Sequence, residues 1–262
     1  MVKGLENFKF HFRDYPNSYV LIGGAAADIW LHEAGLAFRA TKDLDIILVI
    51  EALDDKFIRH FWQFIQEGGY QTKQKSSGKP VVYRFISPSK ENFPVQLELF
   101  SRKPEIQGQF YNAHLAPMPL EEELSSLSVI LMNEEYYKFV TENVQIIEDL
   151  SLATTKSLIC LKARAFLDIR ERLNQGKWSG KDERSRLKND LKKHKNDVIR
   201  IALLLSADDK VKPADQIKQD MRQFIALLKA DPPDYKQLGK NFGIGRIEPA
   251  QILDQIKFTF SL

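Results

Sequence analysis

Near residue 150 the hydrophobic pattern of the chain changes period, and that change restricts the architectures open to it. Before it, apolar residues come in short, β-branched runs cut by glycine or polar turns. These are Ser18-Tyr19-Val20-Leu21-Ile22, ending at Gly23-Gly24, then Asp43 to Ile50, Val81 to Ile86 and Val95 to Phe100. Runs of this length between breakers read as strands. Ala25 to Glu33 is rich in helix formers, and Ala52 to Glu67 repeats Leu53, Phe57, Phe61 and Phe64 at helical spacing. The order β-α-β-α-β-β predicts a mixed sheet with helices packed on it. A further hairpin is expected within Ser125 to Glu142, from Leu127 to Met132 and from Tyr136 to Val140. From Thr154 onward the periods are long and helical: Thr154 to Asn174, Lys181 to Ser206 and Ala214 to Ala230. Pro232-Pro233 then breaks the chain before a last helical stretch, Pro249 to Lys257. The expected fold class is α+β, with an α/β domain over residues 1–150 and a helical domain over 151–262.

With 44% hydrophobic residues in 262, the chain has ample material for a core and is no disordered polymer. A net charge of +3 does not suggest a nucleic-acid packaging protein. A single cysteine, Cys160, can form neither an internal disulfide nor a multi-cysteine zinc site, which suits a reducing compartment. Met1-Val2-Lys3-Gly4-Leu5-Glu6 lacks the apolar core of a secretory signal, and no uncharged run approaches the roughly 20 residues of a membrane span. The expectation is a soluble, cytoplasmic protein with no membrane partner.

Asp43-Leu44-Asp45 stands at the head of an apolar strand. Side chains alternate along a strand, so Asp43 and Asp45 share one face while Leu44, Ile46, Leu48 and Ile50 take the other. Two carboxylates held side by side repel each other unless a cation bridges them, and hard oxygen ligands suit Mg²⁺. The plainer reading is a solvated strand end. Gly23-Gly24 lies between a strand and a helix, where free N–H groups and the helix dipole favour a phosphate. Asp43 lies nineteen positions after Gly24, enough for one helix and a returning strand, which would bring the aspartates beside the glycine turn. Glu98, in Val95-Gln96-Leu97-Glu98-Leu99-Phe100, is a third carboxylate, either catalytic or on the wet face of an edge strand.

Together, Gly23-Gly24 and Arg39-Ala40-Thr41-Lys42-Asp43-Leu44-Asp45 resemble the signature of the DNA polymerase beta-type nucleotidyltransferases. Within that superfamily the chain most resembles the AbiEii/AbiGii-type toxin nucleotidyltransferases. Leu161-Lys162-Ala163-Arg164-Ala165 is similar to their lysine-bearing helix, and Lys193-His194-Lys195-Asn196-Asp197-Val198 to a later motif with an aspartate. The likeness runs from about Tyr19 to Leu205. It implies a nucleotidyltransferase-type mixed sheet, with the helical domain completing the active-site cleft. It also implies Mg-dependent transfer of a nucleoside monophosphate from an NTP to a hydroxyl. Two Mg²⁺ ions would be held by Asp43, Asp45 and Glu98, with Glu98 also helping to deprotonate the acceptor. Gly23, Gly24, Arg39, Thr41, Lys162 and Asp197 would bind the nucleotide, Lys162 also counting as catalytic. The resemblance implies RNA, tRNA included, as the acceptor, and an antitoxin protein as a partner in a toxin-antitoxin or phage-defence system. Two alternatives stay open: a small-molecule, antibiotic-type nucleotidyltransferase, and a catalytically retired nucleotide-binding module. Ala25, where many relatives carry Ser or Thr, favours the latter. Glu98 stands where the family more often has Asp, and His194 where relatives frequently have an acidic residue.

The helical motifs also have a reading of their own. Leu158, Leu161, Ala165, Ile169 and Leu173 form one apolar stripe, and Lys162 falls inside it. A lysine there either snorkels or meets an anion. In the next helix Leu187, Leu191, Val198, Ile201 and Leu205 share a face with His194, which reads as a core histidine, and Asp197 lies at its edge. Lys188, Lys192, Lys193 and Lys195 read as a solvated face that can also guide a polyanionic acceptor.

Overall fold

One mixed sheet organises the first half of the fold. Among the described residues its strands are β1 (Tyr19–Ile22), β2 (Asp43–Leu48), β3 (Gln71–Thr72), β4 (Val82–Ile86), β5 (Gln96–Phe100), β6 (Val144–Ile147) and β7 (Leu150–Ala153), in the order β3-β4-β5-β2-β1-β7-β6. β2 pairs with β5 and β1 with β7 in parallel; the other neighbours are antiparallel. The α+β class expected from the periodicity is the one observed. The computed structural model describes residues 2–49, 52, 54–72, 82–100, 130–131 and 133–262. They fall into two compact units: Met1–Ile29, Arg39–Met132 and Val144–Ala153 in one, and Trp30–Phe38, Asn133–Asn143 and Thr154–Leu262 in the other.

Helices α1 (Leu5–Phe12), α2 (Gly23–Glu33) and α3 (Asp55–Gly68) accompany the strands. Asp54 caps α3 by accepting from the Phe57 backbone N–H at 2.7 Å, and Gly69 ends it in the left-handed conformation. The expected stripe of Phe57, Phe61 and Phe64 faces inward, while Leu53 lies outside the described residues. Phe8 and Phe12 of α1 complete an aromatic core, with ring centroids 5.9 Å apart for Phe8–Phe64, Phe12–Phe57 and Phe61–Phe85. Such tilted and edge-on pairs add to the stabilisation from burying so much ring surface. Sequence reading missed α1, although Leu5, Phe8 and Phe12 recur at one helical face.

Among the described residues the expected hairpin within Ser125 to Glu142 is not found. Residues 125–129 and 132 lie outside the described residues, and Ile130 and Leu131 are helical. Tyr136 to Val140 belongs to helix α4 (Glu134–Glu142), capped by Asn133, whose side chain accepts from the Glu135 and Tyr136 N–H groups. Four buried residues out of five, Tyr136, Tyr137, Phe139 and Val140 around an exposed Lys138, imitate a strand, and the cap decides for the helix. The hairpin is instead β6-β7. Its two turn residues, Glu148 and Asp149, both have positive φ (46° and 63°), as a tight twist-matched turn demands. Asn-Gly normally announces such a turn, and Glu-Asp does not.

The second unit is helical. Besides α4 it contains α5 (Thr155–Asn174), α6 (Gly180–Ala202), α7 (Asp215–Ala230), α8 (Tyr235–Phe242) and α9 (Pro249–Phe260). Thr154 caps α5, whose first four turns are buried almost all round, as befits a central helix. Lys162 pairs with Asp197 and Arg172 with Glu183, so α5 and α6 run antiparallel. α6 stops at Ala202, before the expected Ser206, because Leu203, Leu204 and Leu205 turn off through i→i−3 bonds. A buried hub joins α4, α5 and α7: Asp220 accepts from Tyr136 Oη (2.8 Å), Arg164 Nη1 (3.1 Å) and Gln216 Nε2 (3.0 Å). Cys160 is buried beside it, and burial raises its thiol pKa well above the ordinary value, which leaves it inert. Among the described residues no helix is long and apolar enough to cross a membrane.

Candidate active site

β2 alternates as its sequence demands. Leu44 and Ile46 are buried, while Asp43 and Asp45 stand half-exposed on the opposite face. Its parallel partner β5 sets Gln96 beside Asp43 and Glu98 beside Asp45. β4 then sets Arg84 beside Glu98. Directly paired residues share a face, so Asp43, Asp45, Gln96, Glu98 and Arg84 form one polar patch across three strands. Leu44, Leu97 and Phe85 back it from the apolar side.

The glycine turn meets this patch. β1 pairs with β2 so that Ile22 lies opposite Asp45, and Gly23 follows immediately. Gly23 has φ +67° and a side chain there would overlap the Asp45 carboxylate. A methyl group at Gly24 would lie 2.6 Å from Thr41 Oγ1 and 3.5 Å from Arg39 Nη2. Thus the turn, Asp45, Thr41 and Arg39 converge at the start of α2, where the first N–H groups lack intrahelical partners. Both glycines are there for close approach, and Gly23 also for its backbone conformation. Gly23→Ala is therefore expected to displace Asp45 and to destabilise the protein by at least about 1–2 kcal/mol from the left-handed backbone alone. Urea unfolding of the variant measures this, and wild-type stability would show that the turn tolerates a side chain.

Glu98 is not on a wet edge strand. β5 lies inside the sheet between β4 and β2, and Glu98 is 5% exposed. Its Oε1 accepts from Arg84 Nε and from Gln96 Nε2, both at 2.8 Å. Burial pushes its carboxyl above the usual range, the Arg84 guanidinium pulls it back, and the Asp43 charge adds to the rise. The folded protein therefore holds this proton to higher pH than the unfolded chain does. On this account stability is greatest below the unfolded-state pKa, falls as pH rises to the folded value, and is level above it. Glu98→Gln should flatten that limb, and denaturant midpoints of both proteins between pH 4 and 7 would reveal it. Parallel curves would remove Glu98 as the titrating group.

Asp43 and Asp45 suit a divalent cation: two hard, half-exposed donors on one face, with glycine in place of any side chain against Asp45. Glu98 differs from them in that its Oε1 already accepts from Arg84 and Gln96. Among the described residues no three His, Cys, Asp or Glu side chains are grouped to hold a metal ion.

Lys162 and Asp197 are brought together within the helical unit. Lys162 Nζ lies 3.3 Å from Asp197 Oδ2, and Arg200 Nη1 is 3.3 Å from Asp197 Oδ1. Lys162 is 3% exposed and Asp197 fully buried, so the lysine does not snorkel. His194 is half-buried on α6. Sequence reading missed Arg84. An arginine in the middle of the apolar run Val82-Tyr83-Arg84-Phe85-Ile86 is the natural counterpart of a glutamate within a neighbouring strand, and that pairing was the available signal.

The sequence matches no protein-family profile and no curated protein. Among solved structures it is similar to an antigenic nucleotidyltransferase-like protein from Paracoccidioides brasiliensis, with a TM-score of 0.43 and 12% identity over 95% of this chain and 97% of that one. That likeness is too slight to carry a conclusion.

Proposed function

We propose that the chain is a metal-assisted nucleotidyltransferase that moves a nucleoside monophosphate from an NTP to a hydroxyl of an acceptor, with RNA as the acceptor class. One observation supports this above the others: the strand-to-helix glycine turn packs against the carboxylate of one of two same-face aspartates. In this reading the acceptor oxygen bonds to the α-phosphorus, the bond from that phosphorus to the α–β bridging oxygen breaks, and pyrophosphate leaves. The hydroxyl proton passes to a carboxylate of the polar patch. Asp43 and Asp45 would hold the divalent cation, which when bound supplies positive charge to the reacting phosphate oxygens. Backbone N–H groups at the start of α2, with the neighbouring Thr41 hydroxyl and Arg39 guanidinium, orient the phosphates and offset their charge. Arg84 holds Glu98 in place and offsets its charge.

The test is incubation with each labelled NTP, Mg²⁺ and total cellular RNA. Label should enter RNA with wild-type protein and not with Asp45→Asn. Label in a small molecule instead would indicate the antibiotic-type alternative. The toxin role implied by the resemblance requires, in addition, that expression of wild type but not of Asp45→Asn arrests growth, and that a cognate antitoxin relieves it. A second reading, a nucleotide-binding module without transfer, draws on the engagement of Glu98 by Arg84. Calorimetric binding of NTP with no labelled product in any acceptor would favour it.

A further inference from the structure

Four exposed cations, Lys181, Arg184, Lys188 and Lys192, follow one another three or four residues apart along α6. At 100° per residue they lie within a sector of about 80° and span about 16 Å of helix. No Asp or Glu stands three or four residues to either side of any of them. An ordinary solvated helix face interleaves signs, because opposite charges at this spacing stabilise and like charges destabilise. Here 184–188 and 188–192 are both like-charge neighbours, so the row weakens its own helix. The acidic residues of α6 do not relieve it. Asp182, Glu183 and Asp190 lie on other sectors, and Glu183 is engaged by Arg172 and Ser179. The row ends at Lys195, which is buried and donates to Asp231. At its start Trp178 lies half-buried with the Arg184 guanidinium 5.1 Å from its ring centroid, so an aromatic face adjoins the charges.

We propose that this face of α6 docks the phosphate backbone of a single-stranded RNA, with Trp178 stacking a base at the N-terminal end. A single straight row matches one strand of phosphates, and an aromatic beside cations is the usual means of holding unpaired bases. A partner of repeated negative charge also converts the internally unfavourable row into a favourable contact. The proposal rests on the transferase reading only for the choice of RNA as the nucleic acid.

Anisotropy of a labelled 12-nucleotide RNA, titrated without NTP at several salt concentrations, tests it apart from catalysis. Four phosphate contacts predict a slope of log affinity against log salt near −3, from about −0.7 per contact on a single strand. Lys188→Gln with Lys192→Gln should flatten the slope by about 1.4 and weaken binding roughly tenfold at low salt. Trp178→Ala should weaken binding with the slope unchanged, and Lys236→Gln, an exposed lysine on α8, should change neither. Circular dichroism checks that α6 survives. No RNA binding, an unchanged slope in the double variant, or equal binding to polyglutamate or to a duplex of the same length would each overturn the proposal. Asp45→Asn should bind RNA normally, so failure of transfer and failure of docking remain separable.

Discussion

Asp45→Asn is expected to lower nucleotidyl transfer by at least roughly 10²–10³-fold, as for removal of one preorganised charge-stabilising group. The substitution keeps the shape of the side chain against Gly23 and removes only its charge. Asp43 shares its strand face, Asp45 is paired with the buried Glu98 and the Asp43 charge also reaches it, so losing one negative charge relieves repulsion when no cation is present. The melting temperature should therefore stay level or rise slightly while the labelled product disappears. Asp43→Asn should behave alike. A large fall in melting temperature with either variant would assign the pair a structural role, and undiminished transfer would remove it from the chemistry.

Asp197→Ala should be among the most damaging single substitutions in the helical unit, costing on the order of 3–5 kcal/mol. Asp197 is fully buried and lies 3.3 Å from both the Lys162 ammonium and the Arg200 guanidinium. Removing it leaves two cations facing one another in a dry interior. Lys162→Met should cost much less, since methionine fills nearly the same space and Asp197 retains Arg200. Urea unfolding at constant m-value would rank the two variants. The reverse order would mean that the lysine stem, not the carboxylate, holds α5 to α6.

What could be read from the chain follows from how local each physical cause is. β2 was legible because alternation over six residues is set by the backbone itself, and α3 because Phe57, Phe61 and Phe64 repeat at its period and Asp54 caps it. β6-β7 was not legible, because its turn relies on two non-glycine residues with positive φ, which surrounding structure must hold in place. α4 is hard to tell from a strand because buried aromatic and β-branched residues suit either element, and only its Asn133 cap favours the helix. Within the candidate site, Asp43 and Asp45 could be assigned to one face from sequence alone. That Gly23 abuts Asp45 required the antiparallel register of β1 with β2.

By itself, then, the sequence determined the sheet-then-helix order and the shared face of the two aspartates, since each depends only on the repeat of one strand or one helix. Only the tertiary structure decided the fate of the two charges whose roles hung on distant partners. Glu98 became a buried, Arg84-bound residue because β4 and β5 lie side by side within the sheet, and Lys162 became half of a buried ion pair because α5 and α6 run antiparallel. Desolvation makes a lone charge in such places prohibitive, so the partner that the fold supplies, and not the local spacing, dictates what each of these side chains does.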